Sequence, residues 1–171
     1  MMARLLARLI GDRGGNAAVE MAMVTPLLLT LMLGCAELGN YFWNEHTLLK
    51  AVRDGARFAA RQPFANYSTC TGSPGGTVVT DTQNVVMYGA LTGSNKLTPN
   101  ITASNISVTQ SCFTTVGSQT MTGLYTGDTN GAHVVTVAAT VTYRPVIAVA
   151  LGFSGVGTQL YAQSQAAVSG L

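Results

Sequence analysis

Charge is scarce in this chain and unevenly spread. Of 171 residues, nine are Lys or Arg and seven are Asp or Glu. Twelve of those 16 lie within residues 1–61, and only Asp81, Lys96, Asp128 and Arg144 follow. A net charge of +2 excludes a strongly basic surface, so no nucleic-acid partner is expected. Two histidines, His46 and His133, exclude a histidine-rich metal centre. No glycine-rich phosphate loop is present. Asp81, Asp128, His46 and His133 form no acid–base or nucleophile set. The run Asp128-Thr129-Asn130-Gly131 lacks the further acidic ligands a calcium loop needs and reads as a turn. No catalytic residue, metal or cofactor is expected. What is abundant instead is hydroxyl: residues 62–171 hold 19 Thr and 10 Ser. Threonine at that density with so little charge favours β structure and surfaces that bury against something.

Charge is missing altogether from Met21 to Ala36. Extended to Asn16–Leu38, the apolar run has 23 residues. As a helix it is about 34 Å long, enough to cross a hydrocarbon core of about 30 Å. Glu20 and Glu37 stand near its two ends. Arg4, Arg8 and Arg13 precede it and place the N-terminus in the cytoplasm by the positive-inside rule. Lys50, Arg53, Arg57 and Arg61 lie on the other side, but Lys50 is already about 18 Å beyond Leu38 along a helix. The segment after the run is therefore expected on the outer side of the membrane.

The chain divides into a basic leader (1–15), a membrane helix (16–38), an amphipathic helical extension (39–61) and a Thr-rich, β-containing domain (62–171). Pro26 falls inside the membrane helix, where it is tolerated. Beyond the bilayer Leu38, Phe42, Glu45, Leu49, Val52, Ala56 and Ala59 recur at spacings of three and four, a helical stripe, and Pro63 ends the helix. Residues 63–80 read as a loop, and Asp81 as the cap of a short helix over 82–91. Strands are expected over 105–113, 134–143 and 158–168 from period-two alternation, with an apolar helical turn near the membrane over 146–153. The fold class is α+β: a long N-terminal transmembrane helix continuing into a small domain of about three antiparallel strands packed on the helix. Cys35 reads as a small hydrophobe within the apolar run. Cys70 and Cys112 read either as one disulfide or as two unpaired buried thiols, and an oxidising compartment favours the bridge.

Glu20 is the most informative residue, because a carboxylate at the edge of a membrane run is costly unless paired. A cut after Gly15 would make Asn16 a new N-terminus one helical turn from Glu20. That amine could offset the burial of both charges, within one subunit or between neighbours. The segment Arg13-Gly14-Gly15-Asn16-Ala17-Ala18-Val19-Glu20 resembles the processing site of a class III, type IV pilin-like signal. With Pro26-Leu27-Leu28, Gly34, Glu37, Gly39, Gly55-Ala56-Arg57 and Ala59-Ala60, the stretch from about 13 to 61 resembles the TadE-like pseudopilins of tight-adherence (Flp) pilus systems. Met21 departs from the aromatic that follows the glutamate in major Flp pilins. Those subunits are also much shorter, which points to a minor pseudopilin.

The resemblance implies cleavage between Gly15 and Asn16 by a prepilin peptidase. It also implies partnership with a TadF-like sister pseudopilin, the major Flp pilin, an inner-membrane assembly platform and membrane lipid. Small residues Ala17, Ala18, Ala22 and Gly34, with Pro26, would serve helix packing. Glu37 and Arg57 are possible interfacial groups, with Asp54 as a salt-bridge partner for Arg57. The alternative is a signal-anchored domain without a pilus role, or a lipoprotein acylated at Cys35, since Met32-Leu33-Gly34-Cys35 partly resembles a lipobox.

Overall fold

The computed structural model describes residues 14–116, 119–120, 123–125, 130–150, 152, 155 and 157–170. Arg4, Arg8 and Arg13, the first half of the turn expected at Asp128, and Leu151 and Phe153 of the expected helical turn lie outside the described residues. The chain forms two compact units, Met1–Asn40 and Tyr41–Leu171. The helix α1 (Gly14–Ala60) contributes to both.

In the first unit every residue from 15 to 36 is exposed, and the apolar side chains occupy all sides of the helix. A helix that is apolar all round is stable only inside an apolar medium or a larger assembly. Pro26 removes the N–H that would bond to the Ala22 carbonyl. The hydroxyls in this stretch are turned back onto the backbone. Thr25 Oγ1 donates to the Met21 carbonyl at 2.6 Å, and Thr30 Oγ1 to that of Leu27 at 2.8 Å. Neither hydroxyl then needs water, which suits a hydrocarbon surrounding.

In the second unit α1 supplies one wall of the core through Leu48, Ala51, Val52, Ala56, Ala59 and Ala60. The buried band is displaced from the expected stripe: Phe42 is exposed and Leu49 half-buried, whereas Leu48, Ala51 and Gly55 are buried. A single stripe presumes one neighbour, but here the core joins α1 to both a second helix and a sheet, so the buried band widens. Lys50, Arg53, Asp54, Arg57 and Arg61 remain exposed, as the amphipathic pattern requires.

The second helix, α2 (Val78–Tyr88), begins earlier than its expected range and ends sooner. Asp81 is not its cap. Thr77 occupies that position, and the Asp81 carboxylate accepts the Thr77 hydroxyl at 2.6 Å from within the first turn. The reason is burial: Val78, Thr82 and Val86 recur every four residues and all face the core, drawing the helix back to Val78. Gly89, at φ 73°, stops it, and its N–H bonds to the Val85 carbonyl at 2.8 Å.

The sheet is antiparallel with β4 (Ala132–Tyr143) in the centre, flanked by β1 (Ile106–Phe113) and β5 (Thr158–Ala167). The expected strands are thus present with ends shifted by one or two residues. Val108 pairs with Val137, Ala139 with Ala162, and Val141 with Leu160, so alternate residues fill one face. The opposite face carries Ser107, Thr140, Thr142 and Gln159. Two further short strands, β2 (Thr115–Val116) and β3 (Gln119–Thr120), pair as an unanticipated ladder. They are too short to alternate visibly in sequence. A five-residue helix, α3 (Val146–Ala150), lies between β4 and β5.

The free edge of β1 is covered by the 69–73 loop. The Gln110 N–H donates to the Gly72 carbonyl at 2.8 Å, and Gln110 Nε2 to Thr69 Oγ1 at 2.5 Å. Cys70 and Cys112 are joined by a disulfide with Cα atoms 4.9 Å apart. An edge strand covered in this way no longer offers its backbone to another chain.

Candidate functional site

The residues singled out in sequence fall on three stretches of α1. Gly15 and Asn16 lie in its first turn. Two adjacent glycines, Gly14 and Gly15, give this turn a low helix propensity. Glu20 is exposed one turn further on, adjacent to Asn16 at the i, i+4 spacing.

The second stretch is the apolar segment. At about 100° per residue, Ala18, Ala22, Pro26 and Ala36 share one side of the helix. Ala17 and Gly34 point to other sides, so the small residues do not share a single face of the helix. A Cβ added at Gly15, Gly34 or Gly39 would meet nothing within 4 Å. Nothing among the described residues requires those glycines to be small. Gly55 is the opposite case, since a Cβ there would overlap Val86 Cγ2. Cys35 is exposed with a free thiol, and Glu37 is half-buried.

The third stretch is the outer helix. Arg57 and Asp54 are paired at 3.9 Å, with side chains 73% and 49% exposed. A long, hydrated pair of this kind adds little to stability. Gly55 and Ala56 are buried beside it and set how closely α2 approaches.

Three buried polar residues of the domain were not singled out by sequence. The Tyr67 hydroxyl donates to the Ala59 carbonyl, tying the loop after α1 back onto the helix, and burial pushes its pKa up from 10.0 to about 12. His133 is buried, with Nδ1 3.4 Å from Cys112 Sγ and its ring 6.5 Å from that of Tyr67. Gln110 is buried against the 69–73 loop. Single tyrosine, histidine and glutamine residues in a Thr-rich stretch carry no pattern that sequence could report. Cys112 is committed to a disulfide, so the His133 contact is not a thiolate–imidazole pair. Among the described residues no three His, Cys, Asp or Glu side chains converge as metal ligands would. One surface depression of about 480 Å³ is lined by Trp43, His46, Lys50, Asp54 and Leu97. Another, of about 420 Å³, lies on the hydroxyl-rich face of the sheet by Ser107, Thr140 and Tyr161.

The arrangement is thus that of a long apolar helix attached to a small α+β domain. Among the described residues one helix is long and apolar enough to cross a membrane, and it lies near the N-terminus. Residues 15–57 match the family described as TadE-like protein. That segment contains the Gly15–Asn16 bond, Glu20, the whole apolar run and the Gly55-Ala56-Arg57 packing element, and the match associates the chain with Tad pilus components, which are structural proteins. No curated protein and no solved structure matches the chain.

Proposed function

We propose that this protein is a minor pseudopilin required for assembly or priming of a tight-adherence (Flp, type IVc-like) pilus, acting by helix packing rather than catalysis. The observation that carries the reading is the coincidence of the TadE-like match at 15–57 with an apolar helix whose residues 15–36 are all exposed. A prepilin peptidase removes residues 1–15. The segment 16–38 then holds the protein in the inner membrane, with the N-terminus cytoplasmic and the domain periplasmic. The helix packs against a TadF-like sister pseudopilin and the major Flp pilin at the inner-membrane assembly platform. Close approach is favoured at Ala18, Ala22 and Gly34, where small side chains let backbones meet. Glu20 sets depth and register by pairing with the amine of Asn16, its own or a neighbour's, since an unpaired carboxylate at that level is costly.

The experiment is intact mass and N-terminal sequencing of the membrane-extracted protein. An N-terminus at Asn16 is expected, and Gly15→Leu should leave the full-length precursor. An N-terminal, lipid-modified Cys35 would replace this reading with a lipoprotein, and an uncut chain would reduce it to a signal anchor. Glu20→Ala should abolish co-purification with sister pseudopilins and pilus formation; full piliation in that variant would remove the register role.

A further inference from the structure

We infer that the Tyr41–Leu171 unit has a second, peripheral contact with the bilayer, in which Phe42, Trp43 and the helix α3 sit in the headgroup layer on the periplasmic side. The inference rests on the reading of residues 16–38 as membrane-spanning. Along a helix, Tyr41, Phe42 and Trp43 lie about 4–8 Å past Leu38. The headgroup layer beyond the hydrocarbon is about 5–8 Å deep on each side. All three aromatic residues therefore fall in the zone where aromatic rings concentrate. Phe42 is 47% and Trp43 74% exposed, so neither is held in the domain core.

The same unit carries a second apolar element, which follows a contact made by Tyr41. The ring of Tyr41 meets that of Tyr143 edge-on, with centroids 5.4 Å apart. Tyr143 is the last residue of β4, and α3 begins three residues later at Val146. Its sequence, Val146-Ile147-Ala148-Val149-Ala150, contains no polar side chain, and no residue of it is buried. Val146 is 61% and Val149 53% exposed. Arg144, exposed between the strand and this helix, supplies a cation suited to lipid phosphate. A basic residue followed by a partly exposed apolar turn, in a unit whose first residues are exposed aromatics just past the apolar run, is the composition of an interfacial contact. The occupant is lipid rather than a protein groove because covalent continuity with Leu38 keeps Phe42 and Trp43 at the bilayer surface, and Tyr41 in the same turn holds Tyr143, from which the chain leads into α3.

Trp43 is the only tryptophan in the chain, which makes a direct test possible. The full chain carrying Trp43→Phe is given one new indole, by Val149→Trp, by Val146→Trp or by Leu28→Trp. Each variant is reconstituted into phosphatidylcholine–phosphatidylglycerol vesicles with or without brominated acyl chains. All three positions are exposed, so the substitutions disturb no core packing. The inference expects blue-shifted emission and loss of intensity with brominated lipid for Val149→Trp or Val146→Trp, and deeper quenching for Leu28→Trp. If Leu28→Trp is quenched while both α3 variants emit as in water and respond only to aqueous acrylamide, the spanning helix stands and the second contact is overturned. If Leu28→Trp is itself insensitive to brominated lipid, the membrane-spanning reading fails and the inference with it. An α3 blue shift that grows with protein-to-lipid ratio and ignores brominated lipid would overturn the lipid contact in favour of a protein one.

Discussion

Gly55 of α1 lies directly against Val86 of α2, so closely that a methyl group at Gly55 would overlap Val86 Cγ2. Val86 is fully buried and its branched side chain has little freedom to move aside. Replacing Gly55 by Ala would raise helix propensity by about 1 kcal/mol. The overlap should cost about 1–3 kcal/mol. Gly55→Ala is therefore expected to lower the melting temperature, and Gly55→Leu to lower it further. Adding Val86→Ala to Gly55→Ala should restore part of the loss. Thermal unfolding in detergent, followed by circular dichroism, checks the sign; a more stable Gly55→Ala would show that α2 yields.

The Cys70–Cys112 disulfide closes a segment of sequence separation 42. A loop of that size implies about 4 kcal/mol of stabilisation through the unfolded state. The paired Cys70→Ser and Cys112→Ser variant should unfold at clearly lower urea concentration, and reductant should lower the wild type to the same midpoint. Alkylation without reductant should label Cys35 alone; labelling at Cys70 and Cys112 would contradict the bridge.

Tyr67 gives the domain an alkaline limit. Its pKa is raised from 10.0 in the unfolded chain to about 12 when folded, because burial disfavours the phenolate. Between those values the folded state holds a proton that the unfolded state has lost. The contribution is complete below pH 10, declines as pH rises, and is gone above about 12. Tyr67→Phe should flatten this part of the stability profile. It should also cost about 1 kcal/mol at neutral pH, since the Ala59 carbonyl keeps its Gln62 N–H donor. Urea midpoints across pH 9–12 for both proteins decide it: an unchanged slope in the variant would remove Tyr67 as the source.

Gly34 provides the contrast to Gly55. Among the described residues no atom lies within 4 Å of where its side chain would be. Gly34→Leu is expected to leave the domain's melting temperature unchanged while weakening co-purification with sister pseudopilins. Undiminished association would mean that partner helices approach elsewhere on the segment.

Much of this was legible in the residues because it depends on period and composition. Val135, Val137, Ala139 and Val141 alternate with Thr136 and Thr140, and the central strand follows. The apolar run from Asn16 to Leu38 makes a membrane-length helix whatever follows it. Cys70 and Cys112, the two cysteines of a Thr-rich stretch, suggested their own pairing. The start of α2 was misread because Asp81 is a strong capping residue in isolation, whereas the burial of Val78 outweighs a cap worth about 1 kcal/mol. The outer stripe of α1 was read for one neighbour and has two.

The sequence alone determined which segment seeks an apolar medium, which strands form, and which segment resembles the TadE-like pseudopilins, because hydropathy, alternation and short motifs are local properties of the chain. Only the tertiary structure decided that Gly55 is small for packing inside the protein while Gly34 is not. It also brought Tyr41 against Tyr143, the residue from which the chain leads into α3, and laid the 69–73 loop over the edge of β1. Those outcomes depend on which distant side chains meet, and contacts between residues far apart in the chain leave no periodic trace in the residues themselves.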